Sequence, residues 1–508
     1  MEIFLVAIVM ILCACKLFVF RRPFKYPPGP LFRSPFIKQL MYINGKNRIQ
    51  KQKHLRQQYG DVYSLELGPY GTIVVSELNI MKKLLSKDVF SHRIDISHPP
   101  SALRFRKQLR GHICVGIIFQ SGKTWKEQRR FALKNLRNFG LGKQSMEALI
   151  VDEINELSEK WKRDLQSNGE QIINWTTFNM SSMNVLWRIV SSRRFDLNNI
   201  EEIEKFEVLN ALFNSYGHLS LSRLIAFSLP EFLRKYNTTL KTMLHRQHFL
   251  YDWFSQEYEA HLSTYEETTL RDYIDCYIQE RKRAERDDDT DSSFYGETGH
   301  WNFVNSMLDL FLAGSETTSS TMQWALAYLV HHPQIQYRAQ QELDEVVGRA
   351  GLPTLDDRER LPYIDSLIAE IQRCGNVAPF SLPHCVDRDI EVDGFLYTKH
   401  SIIVPDLAAI LHDPNNFENP DKFNPDRFLC KKTGKFISHP ALVMFGVGKR
   451  ECLGKSLAKN VLYLFLVGLL HQFSFHPAEE GLPDLKEASI NITRVPKPFK
   501  IKIIPRLL

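Results

Sequence analysis

The segment Phe445-Gly-Val-Gly448-Lys-Arg450-Glu-Cys452-Leu-Gly454 constrains this 508-residue chain more than any other. It sets one soft sulfur ligand in a glycine-rich turn, with an arginine two residues before it. A thiolate is a natural iron ligand, and haem ligated by thiolate is electronically disposed to cleave an O–O bond. The glycines let backbone approach a porphyrin face and adopt turns closed to other residues. Backbone N–H groups after the turn can point at the sulfur and moderate its basicity. A helix is predicted over Leu453 to Phe473, so Cys452 lies where a helix N-terminus favours negative charge. Phe445 is placed to shield the sulfur, and Arg450 to pair with a haem propionate. A cysteine taken alone reads as an inert, buried thiol. Five specified positions at fixed spacing arise by chance on the order of once in several thousand such chains.

The chain carries eight cysteines, with no CxxC pair among them. No dense spacing suggests a disulfide scaffold, and eight cysteines in so long a chain read as mostly reduced thiols in a cytosolic environment. A hydrophobic share of 44% and 33 phenylalanines supply ample apolar, ring-lined interior. The net charge of +7 suits a membrane surface or an acidic partner and is too weak to indicate nucleic acid.

Helical periodicity covers most of the chain. Asn302 to Val330 is a long helix stopped by Pro333, and Gln334 to Val347 is another. Val62 to Ser76 reads as two strands around Gly68-Pro69-Tyr70-Gly71, and Asp393-Gly394 marks a second hairpin. Arg286 to Ser293, with its aspartates, reads as a solvated loop. The expected fold is mainly α with a smaller β-rich lobe.

Ile3 to Phe20 is apolar except for Lys16 and is followed at once by Arg21 and Arg22. A bilayer takes ~20 such residues, so one N-terminal transmembrane helix is expected over residues 1–22. Glu2 precedes the stretch and the basic residues follow it. That order disfavours a cleaved signal peptide and puts the rest of the chain in the cytosol. Asn174-Trp-Thr and Asn237-Thr-Thr then match the glycosylation pattern only by chance. Residues 23–45, with Tyr26-Pro-Pro-Gly-Pro30, read as a stiff proline-rich hinge, and 46–508 as the catalytic body.

The Phe445–Gly454 stretch resembles the haem-binding signature FxxGxRxCxG of the cytochrome P-450 superfamily, and further segments of that family follow in order. Within the long helix, Ala313-Gly314-Ser-Glu316-Thr317 matches the family's oxygen-site pattern. Thr317 can bond back to the carbonyl of Ala313, and Gly314 weakens the helix there. The resemblance implies that Thr317 serves oxygen activation and Glu316 proton delivery. Glu370-Ile-Gln-Arg373 is an ExxR, which composition alone yields about once or twice in such a chain. With Arg427 from Phe423-Asn-Pro-Asp-Arg427-Phe428 it resembles the family's structural ionic triad. Trp125, Arg129 and His384 match positions that contact haem propionates, while Cys385 departs from the usual residue type.

The resemblance further implies heme b with axial thiolate, a cytosolic catalytic domain on a single-pass anchor in the endoplasmic reticulum membrane, and contact with membrane lipid. Electrons would come from NADPH through a flavoprotein reductase, with cytochrome b5 a further candidate donor. Lys123, Lys126, Arg129, Arg130, Lys134 and Arg137 suit an acidic donor's docking surface or, equally, a solvated helix face. A substrate pocket lined around Ile113–Phe119, Phe311–Thr317, Val377–Leu382 and Ser489–Ile492 suits a lipophilic small molecule such as a steroid, fatty acid, terpenoid or xenobiotic. Two other readings are a haem-thiolate isomerase of hydroperoxides, which Thr317 and Glu316 disfavour, and a non-enzymatic haem sensor.

Overall fold

The structure is a computed structural model and describes residues 23–30, 48–67, 70–93, 116–139, 144–168, 175–217, 237–349, 351–479, 481–490 and 492–506. The expected anchor over 1–22, the later part of the hinge, Asn174 and the pocket residues 113–115 and Asn491 lie outside them. Among the described residues no helix is long and apolar enough to cross a membrane.

The helices, in chain order, are α1 Arg48–Tyr59, α2 Leu78–Leu85, α3 Gly122–Phe139, α4 Gln144–Asn168, α5 Trp175–Ser191, α6 Ile200–Gly217 and α7 Thr238–Leu262. They continue with α8 Tyr273–Arg286, α9 Gly296–His331, α10 Pro333–Val346, α11 Pro362–Gly375, α12 Leu407–Leu411 and α13 Lys455–Gln472. At 36 residues, α9 runs about 54 Å through the body. Its flanks pack on α5, α7, α11 and α13. A helix surrounded in this way must be apolar nearly all round, and Phe303, Met307, Leu308, Phe311, Met322 and Leu326 are all buried. Pro333 ends it, as expected, and starts α10 at a position where no intrahelical donor is needed.

The smaller lobe is built on β1 Val62–Leu67, β2 Tyr70–Val75, β3 His384–Cys385, β4 Ile390–Val392, β5 Phe395–Tyr397 and β6 Ile402–Pro405. Four of these form a sheet in the order β1-β2-β6-β3, with β2 parallel to β6. The hairpin β4–β5 turns at Asp393 (φ 52°) and Gly394 (φ 78°), both left-handed, as a tight primed turn requires. Two further strand pairs complete the lobes: β7 Phe473–Pro477 pairs with β10 Ile501–Pro505, and β8 Ala488–Ile490 with β9 Arg494–Pro496. The core is correspondingly divided, with one large apolar cluster among the helices and a second under the sheet.

The described part of the proline-rich segment, residues 23–30, is fastened to the strand lobe. Ser64 N–H donates to the Pro28 carbonyl (2.7 Å) and Leu396 N–H to that of Lys25 (2.9 Å). A Cβ on Gly29 would lie 2.0 Å from the Ser64 carbonyl oxygen, so this glycine permits the close approach. The expected solvated loop after α8 is exposed from Arg286 to Asp291 but not beyond. Its end is buried, with Ser293 N–H donating to Glu127 (2.9 Å) and Gln128 donating to Ser293 Oγ (3.0 Å), which ties it to α3.

Candidate active site

The Phe445–Gly454 turn folds as its glycines dictate. Gly446 and Gly448 have φ of 74° and 79°, and a Cβ on Gly448 would meet the Leu85 carbonyl oxygen at 2.3 Å. The turn is thereby pressed against the end of α2. Cys452 N–H donates to the Phe445 carbonyl (2.9 Å), closing the loop around the sulfur. Gly454 is the residue before α13, so the cysteine stands two residues outside the helix rather than at its first turn.

The setting of Cys452 is dual. Burial raises its thiol pKa, an effect softened by a Gly454 backbone donor and by Arg129, yet the residue is exposed. Ala313 is likewise exposed in the middle of an otherwise buried helix, and Gly314 and Thr317 are half-exposed beside it. Dense surroundings with accessible surface are what an internal chamber produces. On α9 the Thr317 hydroxyl donates to the Ala313 carbonyl at 2.8 Å, as its spacing suggests. The helix is nonetheless continuous through Gly314. A Cβ there would come within 2.6 Å of Leu186 Cδ2, so this glycine serves the close packing of α5 rather than a break in the helix. Glu316 has its carboxyl pKa pushed up to about 7, chiefly by burial, with the Thr493 hydroxyl acting in the opposite direction.

A cationic group surrounds the turn. Arg450 donates to the carbonyls of Ser91 (2.7 Å), Ile117 (3.2 Å) and Gln120, and its guanidinium lies 3.7 Å from the Trp125 ring centroid. Burial and the neighbouring Arg93 and Arg129 lower its pKa to about 8. Arg129 donates to the Glu451 carbonyl (2.5 Å). Arg93 donates to the carbonyls of Leu382 and Pro383 (2.8 Å each). His384 Nδ1 meets the Phe90 carbonyl at 2.7 Å, and burial with Arg93 alongside holds its pKa well below the usual value. Cys385, beside it in β3, is buried and donates its N–H to the His92 carbonyl (2.8 Å).

Among the described residues no carboxylate forms an ion pair with Arg93, Arg129 or Arg450. The Trp125 Nε1–H is also buried without a partner. Desolvated, mutually repelling guanidiniums call for an anion. A thiol in a glycine turn with this cluster beside it fits haem, whose propionates would be held by Trp125, Arg93, Arg129 and Arg450. Arg93 escaped the sequence reading because nothing near Ser91-His-Arg93 has a diagnostic spacing; its partners come from a segment 289 residues away.

Glu370, Arg373 and Arg427 are brought together. Arg373 grips Glu370 through Nε (2.7 Å) and Nη2 (2.9 Å), and Arg427 Nε donates to Glu370 Oε1 (3.0 Å). The Asn424 N–H adds a fourth donor to the same carboxylate (2.8 Å). Arg373 also donates to Leu411 O (2.9 Å) at the end of α12. On the outer side of Arg129 a cleft of about 720 Å³ is lined by Trp125, Lys126, Arg130, Lys134, Arg137 and Lys449, among others.

Comparison with known proteins agrees with this chemistry. Residues 27–503 match the family model described as Cytochrome P450. The chain is 32% identical over 485 residues to "Cytochrome P450 2B15" of Rattus norvegicus, covering 94% of this chain and 93% of the relative. It is 32% identical over 494 residues to "Cytochrome P450 2J2" of Homo sapiens, covering 96% and 93%. It is 31% identical over 514 residues to "Cytochrome P450 2B4" of Oryctolagus cuniculus, covering the whole of both chains. A match over nearly its entire length, around a thiol set among unpaired arginines, means that the chain belongs to the cytochrome P450 family of haem-thiolate monooxygenases.

Proposed function

We propose that this monooxygenase hydroxylates a lipophilic small molecule at the cytosolic face of the endoplasmic reticulum, with Cys452 as the iron ligand. An N-terminal anchor over 1–22 would hold it to the membrane, and an NADPH-dependent flavoprotein reductase, with cytochrome b5 as an auxiliary donor, would supply the electrons. The overall balance takes up substrate, O2, NADPH and one proton, and releases hydroxylated product, water and NADP+. When bound, the thiolate-ligated haem supplies reductive activation of dioxygen and cleavage of its O–O bond.

The protein's own tasks follow from its residues. Trp125, Arg93, Arg129 and Arg450 would hold the haem through its propionates, and Phe445 and Gly448 shape the turn that would present the thiolate. Ala313, Gly314 and Thr317, accessible on α9, would face the haem. Thr317 carries a hydroxyl already bonded to Ala313 O, which can keep that bond while its oxygen accepts another. Glu316, poised near neutrality, holds a proton at its carboxyl and passes it inward. Glu370, Arg373 and Arg427 keep the haem-facing loop in place and take no part in chemistry. Ala313 and Val377 offer apolar surface that is accessible, which suits a substrate held by shape, while Phe311, expected in the pocket, is packed behind them against Trp187 and Trp253.

The observation that carries the reading is the pairing of an exposed α9 wall, with Thr317 and Glu316 on it, and a thiol in a glycine turn. The test has two arms. The reduced, CO-bound spectrum should show thiolate ligation and lose it in Cys452→Ser. Incubation with reductase, NADPH and labelled O2 should put one labelled atom into an apolar substrate. A histidine-like Soret band, or product formed only from added hydroperoxide, would overturn the proposal.

A further inference from the structure

On α9, Glu316, Ser320 and Trp324 recur at four-residue intervals and share one face. That face packs on the end of α11 and on β9. Trp324 lies against Gly375, where a Cβ would come within 3.1 Å of the side chain. Its Nε1–H donates to the Arg494 carbonyl (3.0 Å), and the Arg494 guanidinium lies 4.0 Å from the ring centroid. Arg494 is pinned in turn. Its N–H donates to Val377 O (2.7 Å), and its guanidinium to Gly375 O (2.7 Å) and Cys374 O (3.2 Å). The residue before it, Thr493, is thus locked against α9 and is 2% exposed.

Thr493 is the polar group that acts on the Glu316 carboxyl, and burial is the only other influence on it. Arg494, the charge nearest on β9, is turned to the α11 carbonyls. The two side chains interact without closing a full hydrogen bond: Glu316 Oε2 and Thr493 Oγ1 are both buried and neither meets that geometry with any group. Buried polar atoms left without a partner are unusual in a folded protein. Catalytic hydrogen bonds are often long before substrate binds and tighten afterwards.

We propose that Thr493 is a positioning residue for Glu316, fixing its buried oxygen so that the other is directed to the chamber. The inference rests on the reading of Glu316 as the proton-delivering group. In each delivery the carboxyl releases one proton inward and takes one back from solvent. Thr493 exchanges none; its oxygen accepts from the acid form, and its O–H donates to the carboxylate.

The test uses the full chain with reductase and NADPH, comparing Thr493→Val, Thr493→Ser and Glu316→Gln. Thr493→Val should keep the reduced CO spectrum and the substrate-induced spin shift, while product per NADPH falls roughly three- to tenfold. Because the hydroxyl lowers the Glu316 pKa, its loss should also move the pH midpoint of turnover upward. Thr493→Ser should restore both. In a Glu316→Gln background, Thr493→Val should cause no further loss. If Glu316→Gln is impaired but Thr493→Val matches wild type in both readouts, the positioning role is wrong. If Glu316→Gln itself matches wild type, the proton role falls and the inference with it. Should Thr493→Val fail to load haem, Thr493→Ala is read by the same criteria.

Discussion

At Thr317 one hydroxyl has two possible loyalties. Its bond to the Ala313 carbonyl is local and would form in any helix with a threonine four residues on. What gives it significance is that Ala313 and Thr317 are accessible where Leu312, Ser315 and Ser319 are buried. Replacing the hydroxyl removes a polar group from the chamber wall and nothing from the packing. Thr317→Ala should keep the haem and its thiolate spectrum but divert electrons to peroxide or water, read as NADPH consumed per product. Equal coupling in mutant and wild type would deny Thr317 its role. At this scale the site was largely legible, because Phe445, Gly448, Arg450, Cys452 and Gly454 are near neighbours and Thr317 repeats a helical spacing. Arg93 and Thr493 were not. Each acts through residues far along the chain, Arg93 on Leu382 and Thr493 on Glu316, and neither has a local pattern to betray it.

Elements are joined by the ionic triad. Glu370 and Arg373 share a face of α11, both fully buried, and Arg427 reaches them from the turn Pro425–Phe428. An ion pair in such a place gains little net stability, because desolvation offsets attraction, but stranding one member is costly. Glu370→Gln would leave two guanidiniums facing a neutral amide and should cost about 3–5 kcal/mol. The exposed pair Lys162–Glu159 is the contrast, and Lys162→Ala should cost less than about 1 kcal/mol. Thermal unfolding of the two variants, with haem retention in the first, checks the difference. The sequence could propose the triad only by its order, since the Glu370-to-Arg373 spacing is common by chance. Long helices bounded by proline, such as α9 and α10, were plain in the pattern, as were β1, β2 and the Asp393-Gly394 turn. Strands of two or three residues, such as β3, β8 and β9, carry no period to detect, and they are the pieces that place His384 and Thr493.

Over the whole molecule the excess of positive charge matters less than where it is left unanswered. Of the basic residues on α3, Lys123 is engaged with Glu127 and Asp291, and Lys126 with Asp88. Arg129 turns inward to the Glu451 carbonyl. Arg130, Lys134 and Arg137 line the cleft, and among the described residues no carboxylate pairs with them. The sequence could not separate these roles, because every third or fourth position on an exposed helix is often basic. The fold does separate them, and it sets the unpaired charges on the side of α3 that borders the Cys452 loop. An excess of positive charge around a cleft, here with Asp88 also in its lining, speeds encounter with an oppositely charged partner, and salt screens it over a Debye length of ~8–10 Å. The triple change Arg130→Glu, Lys134→Glu, Arg137→Glu should therefore slow reductase-supported turnover roughly tenfold or more at low salt. The loss should lie in the apparent KM for reductase and shrink as ionic strength rises, while the dithionite-reduced CO spectrum and substrate spin shift stay as in wild type. A triple variant with unaltered reductase dependence would show that these charges serve only solvation, and would move the electron entry site to another face.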